Sequence, residues 1–196
     1  MIQRLAVGLM LTLMMVSLAG AAEVAGVSLP ETVTLDDQEL VLNGAGIREK
    51  YVIGYDVYVA GLYLKEKCRE ADKILNANEP TMLRIKILTG MVTSEKFKEH
   101  TRTGFDEATN GNTEPIEDEI NLFMRAFAEE INKGDLFDIQ YIPDQGFKVF
   151  KNGKTEPEVE VTEGGMTLKK ALFGIWIGPR TEKRLQDLAS DLLDKE

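Results

Sequence analysis

In the stretch NGAGIREKYVIGYDVYVAGLYL, residues 43–64, almost every residue favours extended backbone, yet an arginine stands at 48 and a tyrosine ten residues later at 58. A guanidinium offers a planar, permanently charged fork of N–H donors, and a phenol adds a short O–H donor. Together in apolar surroundings they would clamp a carboxylate or another small anion. On one straight strand, Arg48 and Tyr58 would share a face but stand roughly 33 Å apart, at about 3.3 Å per residue. A turn has to intervene. Val52-Ile53-Gly54 can supply it as a three-residue hairpin loop, with Gly54 in the left-handed conformation. Pairing then begins with Tyr51 opposite Tyr55 and sets Arg48 opposite Tyr58, with Cβ atoms about 5 Å apart. The plainer alternative is an Arg48 that snorkels to solvent and a Tyr58 that is ordinary core. Gly44, Gly46 and Gly61 weaken the same strands, so each points to a bulge or to close approach by something else.

Little else in the chain competes for chemistry. One cysteine and one histidine among 196 residues make no set of soft ligands for zinc, iron or copper, so no metal and no cofactor is expected. A thiol- or Ser-His-type active site is equally unsupported, and no Gly-rich phosphate loop, GxSxG elbow or HExxH occurs. The formal net charge of −10 argues against nucleic acid or an anionic membrane surface as partner, because both demand a basic footprint. Acidic runs at 117–119 (EDE) and 156–163 (EPEVEVTE) read as solvated faces. Cys68 is expected to be a half-buried apolar residue, and His100, beside Lys96 and Glu99, to face solvent.

The N-terminus is a different material from the rest. Arg4 precedes the apolar run LAVGLMLTLMMVSL, and Ala19-Gly20-Ala21 supplies the small-x-small pattern of a signal-peptidase site. Residues 1–21 are therefore expected to be a cleaved signal peptide, with a retained N-terminal anchor as the alternative, and 22–196 a single domain. That places the protein in the periplasm or otherwise outside the cytoplasm, with no transmembrane segment after cleavage. A lone thiol allows no internal disulfide there, so the fold must rest on its hydrophobic core.

Periodicity supplies the elements that must position Arg48 and Tyr58. Residues 31–43 read as two short strands around Asp36-Asp37, and strand signals dominate 46–64. A helix at 68–77 precedes TMLRIKILT at 81–89, where Leu83, Ile85 and Ile87 face one way and Arg84 and Lys86 the other. Thr93-Ser94-Glu95 opens a helix running to about Ala108, with Phe97, Thr101, Gly104, Phe105 and Ala108 along one side. Pro115 begins a second, whose stripe Ile116, Ile120, Phe123, Phe127 and Ile131 ends at Gly134 as a C′ glycine. Strands follow at 136–142 and 147–151. Asn152-Gly153 then predicts a type I′ hairpin into the edge strand KTEPEVEV. The chain closes with a helical LKKALFGIWIG and an amphipathic helix from Thr181, with Leu185, Leu188 and Leu192 inward. Phe173 and Trp176 are expected in the core, with a contact surface for assembly as the alternative. The order predicts an α+β fold: one large antiparallel sheet covered on one face by a layer of helices.

Three segments, Gly44-Ala45-Gly46-Ile47-Arg48, Val57–Leu64 (VYVAGLYL) and Phe173–Gly178 (FGIWIG), resemble the chalcone isomerase-like family, and specifically its exported bacterial members. The resemblance spans roughly residues 24–193. It implies an open-faced sandwich with a ligand cleft between sheet and helices. Plant enzymes of the family close a chalcone to a flavanone, and their anion-stabilising arginine matches Arg48. The rest of their catalytic set departs: the strand threonine falls on Tyr58, the helix tyrosine and asparagine on Phe97 and Gly104, the late threonine near Ile175. The non-catalytic, fatty-acid-binding branch is more similar, since there an arginine and a tyrosine hold the carboxylate. The resemblance thus implies Arg48, Tyr58, Phe97 and Thr101 as ligand-binding residues and a small amphipathic carboxylate, such as a fatty acid, as ligand. An isomerase or lyase acting on an enone through Arg48 is the alternative.

Overall fold

A computed structural model describes residues 20–50, 55–179 and 182–195; most of the expected signal peptide and the Val52-Ile53-Gly54 loop lie outside these residues. Among the described residues there are nine strands. The first two, β1 (Ala21–Val24) and β2 (Val27–Pro30), form a small hairpin of their own. The other seven form one antiparallel meander in chain order: β3 (Thr32–Leu35), β4 (Gln38–Lys50), β5 (Tyr55–Leu64), β6 (Thr81–Ile87), β7 (Leu136–Ile142), β8 (Gly146–Lys151) and β9 (Val159–Val161). Asp36 and Asp37 turn β3 into β4 with φ of 51° and 58°, the double positive φ of a primed two-residue turn.

Alternation along the strands makes two unequal faces. Tyr58, Ala60, Leu62, Leu83, Ile85, Ile87, Phe137 and Ile139 point into the main core beneath the helices. Val59, Tyr63, Met82 and Ile142 point the other way, into a smaller core closed by Leu29, Leu35 and Leu40. The helices are α1 (Ala71–Asn76), α2 (Ser94–Ala108), α3 (Glu117–Phe123), α4 (Gly165–Ile177) and α5 (Lys183–Leu192). This is the predicted α+β architecture, with the β1–β2 hairpin as an added cover on the far face. Among the described residues, no helix is long and apolar enough to cross a membrane.

Local signals placed α2 well: Thr93 is its N-cap, with Oγ1 accepting from the Lys96 backbone N–H. Two expectations need correction. The helix predicted from Pro115 to Gly134 is shorter; a 3-10 turn at Glu114–Ile116 leads into α3, and a second at Met124–Phe127 ends it. Its stripe is nonetheless buried throughout. Tertiary donors take the carbonyls that a continuing helix would have used: Ser94 Oγ donates to Phe127 O, and Lys151 Nζ to Glu130 O at 2.8 Å. Asn152 and Gly153 do adopt positive φ, 56° and 68°, but they do not close a two-residue hairpin. Val149 pairs with Val159, leaving a longer loop, because Asn152 is tied back to β7: its N–H donates to Leu136 O and its Oδ1 accepts from Leu136 N.

Candidate ligand cleft

The site begins with two irregularities in the β4–β5 ladder. Arg48 does pair with Tyr58, as the hairpin argument requires. Nearer the loop the register differs from expectation: Lys50 pairs with Tyr55 and Glu49 with Asp56, so Val57 has no partner on β4. Its carbonyl instead accepts from Leu88 N, past the end of β6. An extra residue reverses the inward–outward alternation. Tyr55, Val57 and Tyr58 therefore all line the same hollow, which strict alternation forbids. The second irregularity is Asn43, skipped between the pairs Leu42–Tyr63 and Gly44–Leu62. Its buried side chain donates to Leu192 O (2.8 Å) and Cys68 O (3.1 Å) and accepts from Cys68 N (2.7 Å). One bulge thus fastens the end of α5 and the 65–70 connection to the sheet.

Gly44 and Gly46 are explained by that same helix. A Cβ on Gly44 would stand 2.1 Å from Asp191 O, and one on Gly46 would stand 2.5 Å from Asp191 Oδ2. α5 lies directly on the backbone of β4, so the close approach inferred from these glycines is made by the protein itself. Gly61 lies on the opposite face, where a Cβ would press on Leu29 at 3.1 Å.

Between β4–β5, α2, α4 and the start of α5 lies a cavity of 390 Å³. Arg48, Tyr58, Phe97 and Thr101, the four residues proposed from sequence, all line it, and so do Gly104 and Ile175. Phe97 forms part of the inner wall; its ring lies 4.7 Å from that of Phe127. Thr101 presents little polarity, because its hydroxyl donates to Phe97 O at 2.8 Å along the helix. Gly104 and Ile175 are complementary: a Cβ at 104 would meet Ile175 Cγ2 at 2.7 Å. Trp176 and Phe173 are both buried, which removes them as an exposed assembly surface. The Trp176 indole donates to the Tyr58 hydroxyl at 3.0 Å and so fixes the phenol at the cleft wall. His100 is exposed, as expected, and stands at the cleft mouth with Lys96 and Glu99.

The sequence reading missed Glu182. Its carboxylate grips Arg48 in a fork-to-fork pair, Nη1–Oε1 at 2.9 Å and Nη2–Oε2 at 3.0 Å. Arg48 Nη1 also donates to Glu49 O at 2.8 Å, and the arginine side chain is only 13% exposed. A separation of 134 residues leaves no local signal by which this pair could be found. Among the described residues, no group of three or more His, Cys, Asp or Glu side chains is placed to hold a metal ion.

One antiparallel meander, one helical layer and an apolar cleft with a cation at its rim define an open-faced sandwich with a small-molecule-sized hollow. The chain belongs to the chalcone isomerase-like family, whose model matches residues 21–193. The crystal structure of a fatty-acid binding protein from Arabidopsis thaliana is similar across 89% of this chain and 96% of that one, with a TM-score of 0.68. The two are 18% identical, so the likeness is one of fold. No curated protein matches the sequence.

Proposed function

We propose that this protein is an exported, non-catalytic binder of a fatty acid or another small amphipathic carboxylate. Arg48 and Tyr58 hold the head group, while Val57, Phe97, Ile175 and the methyl of Thr101 surround the tail. The observation that carries this reading is the geometry at Arg48. Its fork already donates to a carboxylate, that of Glu182, through two parallel N–H···O contacts of 2.9 and 3.0 Å, at the rim of a largely apolar hollow. A carboxylate with a hydrocarbon tail matches both halves of that arrangement. The volume of 390 Å³ lies within the usual range for small-molecule sites.

Binding is favoured over enone chemistry by what stands at the positions matched to the plant enzymes. Phe97 keeps a ring without a hydroxyl, and the contact between Gly104 and Ile175 leaves no room for a polar side chain at 104. Neither supplies a proton donor. Export is argued from the sequence alone, by the apolar run after Arg4 and the Ala19-Gly20-Ala21 motif that follows it.

The test is calorimetry and native mass spectrometry with saturated fatty acids of graded length. The expected result is a one-to-one complex that Arg48→Ala weakens by about 1.5–3 kcal/mol, the usual loss for a hydrogen bond to a charged group. Failure of every acid to form a complex with the wild-type protein would sink the reading.

A further inference from the structure

Glu182 stands where the ligand's own head group is proposed to sit. It is the N-cap of α5, a position whose side chain ordinarily turns back to the first helical N–H groups. Here it makes no such bond. Its backbone is held, since Glu182 O accepts from Leu185 N (3.0 Å) and Gln186 N (3.1 Å), while the side chain reaches across the rim to both terminal nitrogens of Arg48. The two partners are unequally buried: the arginine side chain is 13% exposed, the glutamate 42%. The cation is built into the wall, and its counter-ion is the more exposed member.

From this geometry we propose that Glu182 determines which ligands the cleft admits, by acting as an internal carboxylate that an incoming head group must displace from Arg48. The proposal rests on the carboxylate-binding reading above and adds a residue and a direction to it. Displacement is feasible because the released carboxylate has a second place to go: the N-terminus of its own helix, where the dipole favours negative charge. The rim charges point the same way. Against Arg48 and Lys96 stand Glu99, Glu107 and Glu182 among the described lining residues, so the rim carries no excess of positive charge to attract an arbitrary anion. A ligand must exchange for Glu182 carboxylate for carboxylate. A neutral amphipath of the same length leaves the pair untouched.

The one tryptophan of the chain, Trp176, lines the cleft and reports occupancy by its fluorescence. The experiment titrates dodecanoate and 1-dodecanol, at neutral pH, into wild type, Glu182→Gln, Glu182→Ala and Arg48→Ala. Removing the internal competitor should raise dodecanoate affinity about three- to tenfold, the scale of a partly exposed ion pair, and leave dodecanol affinity unchanged. Equal gains for both ligands would show that Glu182 only obstructs the entrance, and overturn the proposal. So would a loss of dodecanoate affinity, which would make Glu182 a support for Arg48. Unchanged dodecanoate affinity in both Glu182 variants, with Arg48→Ala still impaired, would remove Glu182 while leaving the head-group role of Arg48 standing. Binding of neither ligand to any form would remove the cleft reading, and the exchange with it. Should Glu182→Ala fail to fold, the isosteric Glu182→Gln carries the same comparison.

Discussion

The two ends of the helical layer cover the same sheet in different ways. At one end, beneath α2, α3 and the turn that follows, aromatic rings fill the space. Phe127 lies 4.7 Å from Phe97, 5.2 Å from Phe137 and 5.5 Å from Phe123, and Phe105 meets Phe123 edge-on at 6.0 Å. At the other end, glycines on β4 let α5 rest on bare backbone, and polar groups hold it: Asn43 on the Leu192 carbonyl and Arg48 on Glu182. The cavity lies between the two, with Phe97 and Gly104 of α2 on one side and Glu182 and Leu185 at the start of α5 on the other. The contrast teaches that the cleft lies where a wall of close-packed rings meets a helix that directional bonds hold beside its packed leucines.

The largest expected effect tests the filled end. Phe127→Ala should lower stability by about 3–5 kcal/mol in chemical denaturation, since a fully buried ring would leave a void among its neighbours. A loss below about 1 kcal/mol would mean that the cluster is loosely packed and the contrast false. The polar end is tested by Asn43→Ala, which strands the Cys68 N–H and frees the end of α5. A loss of about 2–3 kcal/mol is expected, because buried partners left unpaired carry their own desolvation cost. Exchange at the backbone amides of α5 should rise at the same time, and unchanged protection there would show that packing alone secures the helix. Arg48→Ala, by contrast, should leave the unfolding midpoint almost where it is, since a pair with one partner 42% exposed contributes little.

The smallest effect is a pH slope beyond the filled end. Lys169 is fully buried under α1, donating to the carbonyls of Ile74 (3.0 Å) and Ala77 and lying 5.2 Å from the Tyr141 ring. Burial, only partly opposed by Glu79, pushes its pKa down to about 8. Below pH 8 the folded and unfolded states both hold the proton, and the cost of burying the charge is constant. As pH rises further, the folded state releases its proton before the unfolded state does, so stability should increase between pH 8 and 10. Above that, Tyr63, pushed up to about 12 by burial, opposes the trend, because the unfolded phenol ionises first. Lys169→Met should flatten the difference curve over pH 8–10; an identical slope in wild type and variant would mean that another group titrates there.

Much of the frame was legible because it depends on near neighbours. The alternation of Leu83, Ile85 and Ile87, the Thr93 cap and the Asp36-Asp37 turn are local signals, and each appears where expected. The pairing of Arg48 with Tyr58 was expected as well, but the register beside the loop, Lys50 with Tyr55, is offset by one residue, and only the bulge at Val57 restores it. What failed was equally instructive. The helix from Pro115 was read too long because its last carbonyls find partners on Ser94 and Lys151, far along the chain. Gly44 and Gly46 pointed to a bulge or to close approach, but nothing local decides between the two or identifies α5 as what approaches.

The amino-acid order by itself determined the elements, the two faces of the sheet, the antiparallel hairpin and the residue types that border the cleft, because period, turn chemistry and charge act over a few residues. Only the tertiary structure decided the bulge at Val57, the pairing of Gly104 with Ile175, and the carboxylate of Glu182 in the fork of Arg48. Those contacts join segments up to 134 residues apart. Their energies depend on shape and distance that no window along the chain contains.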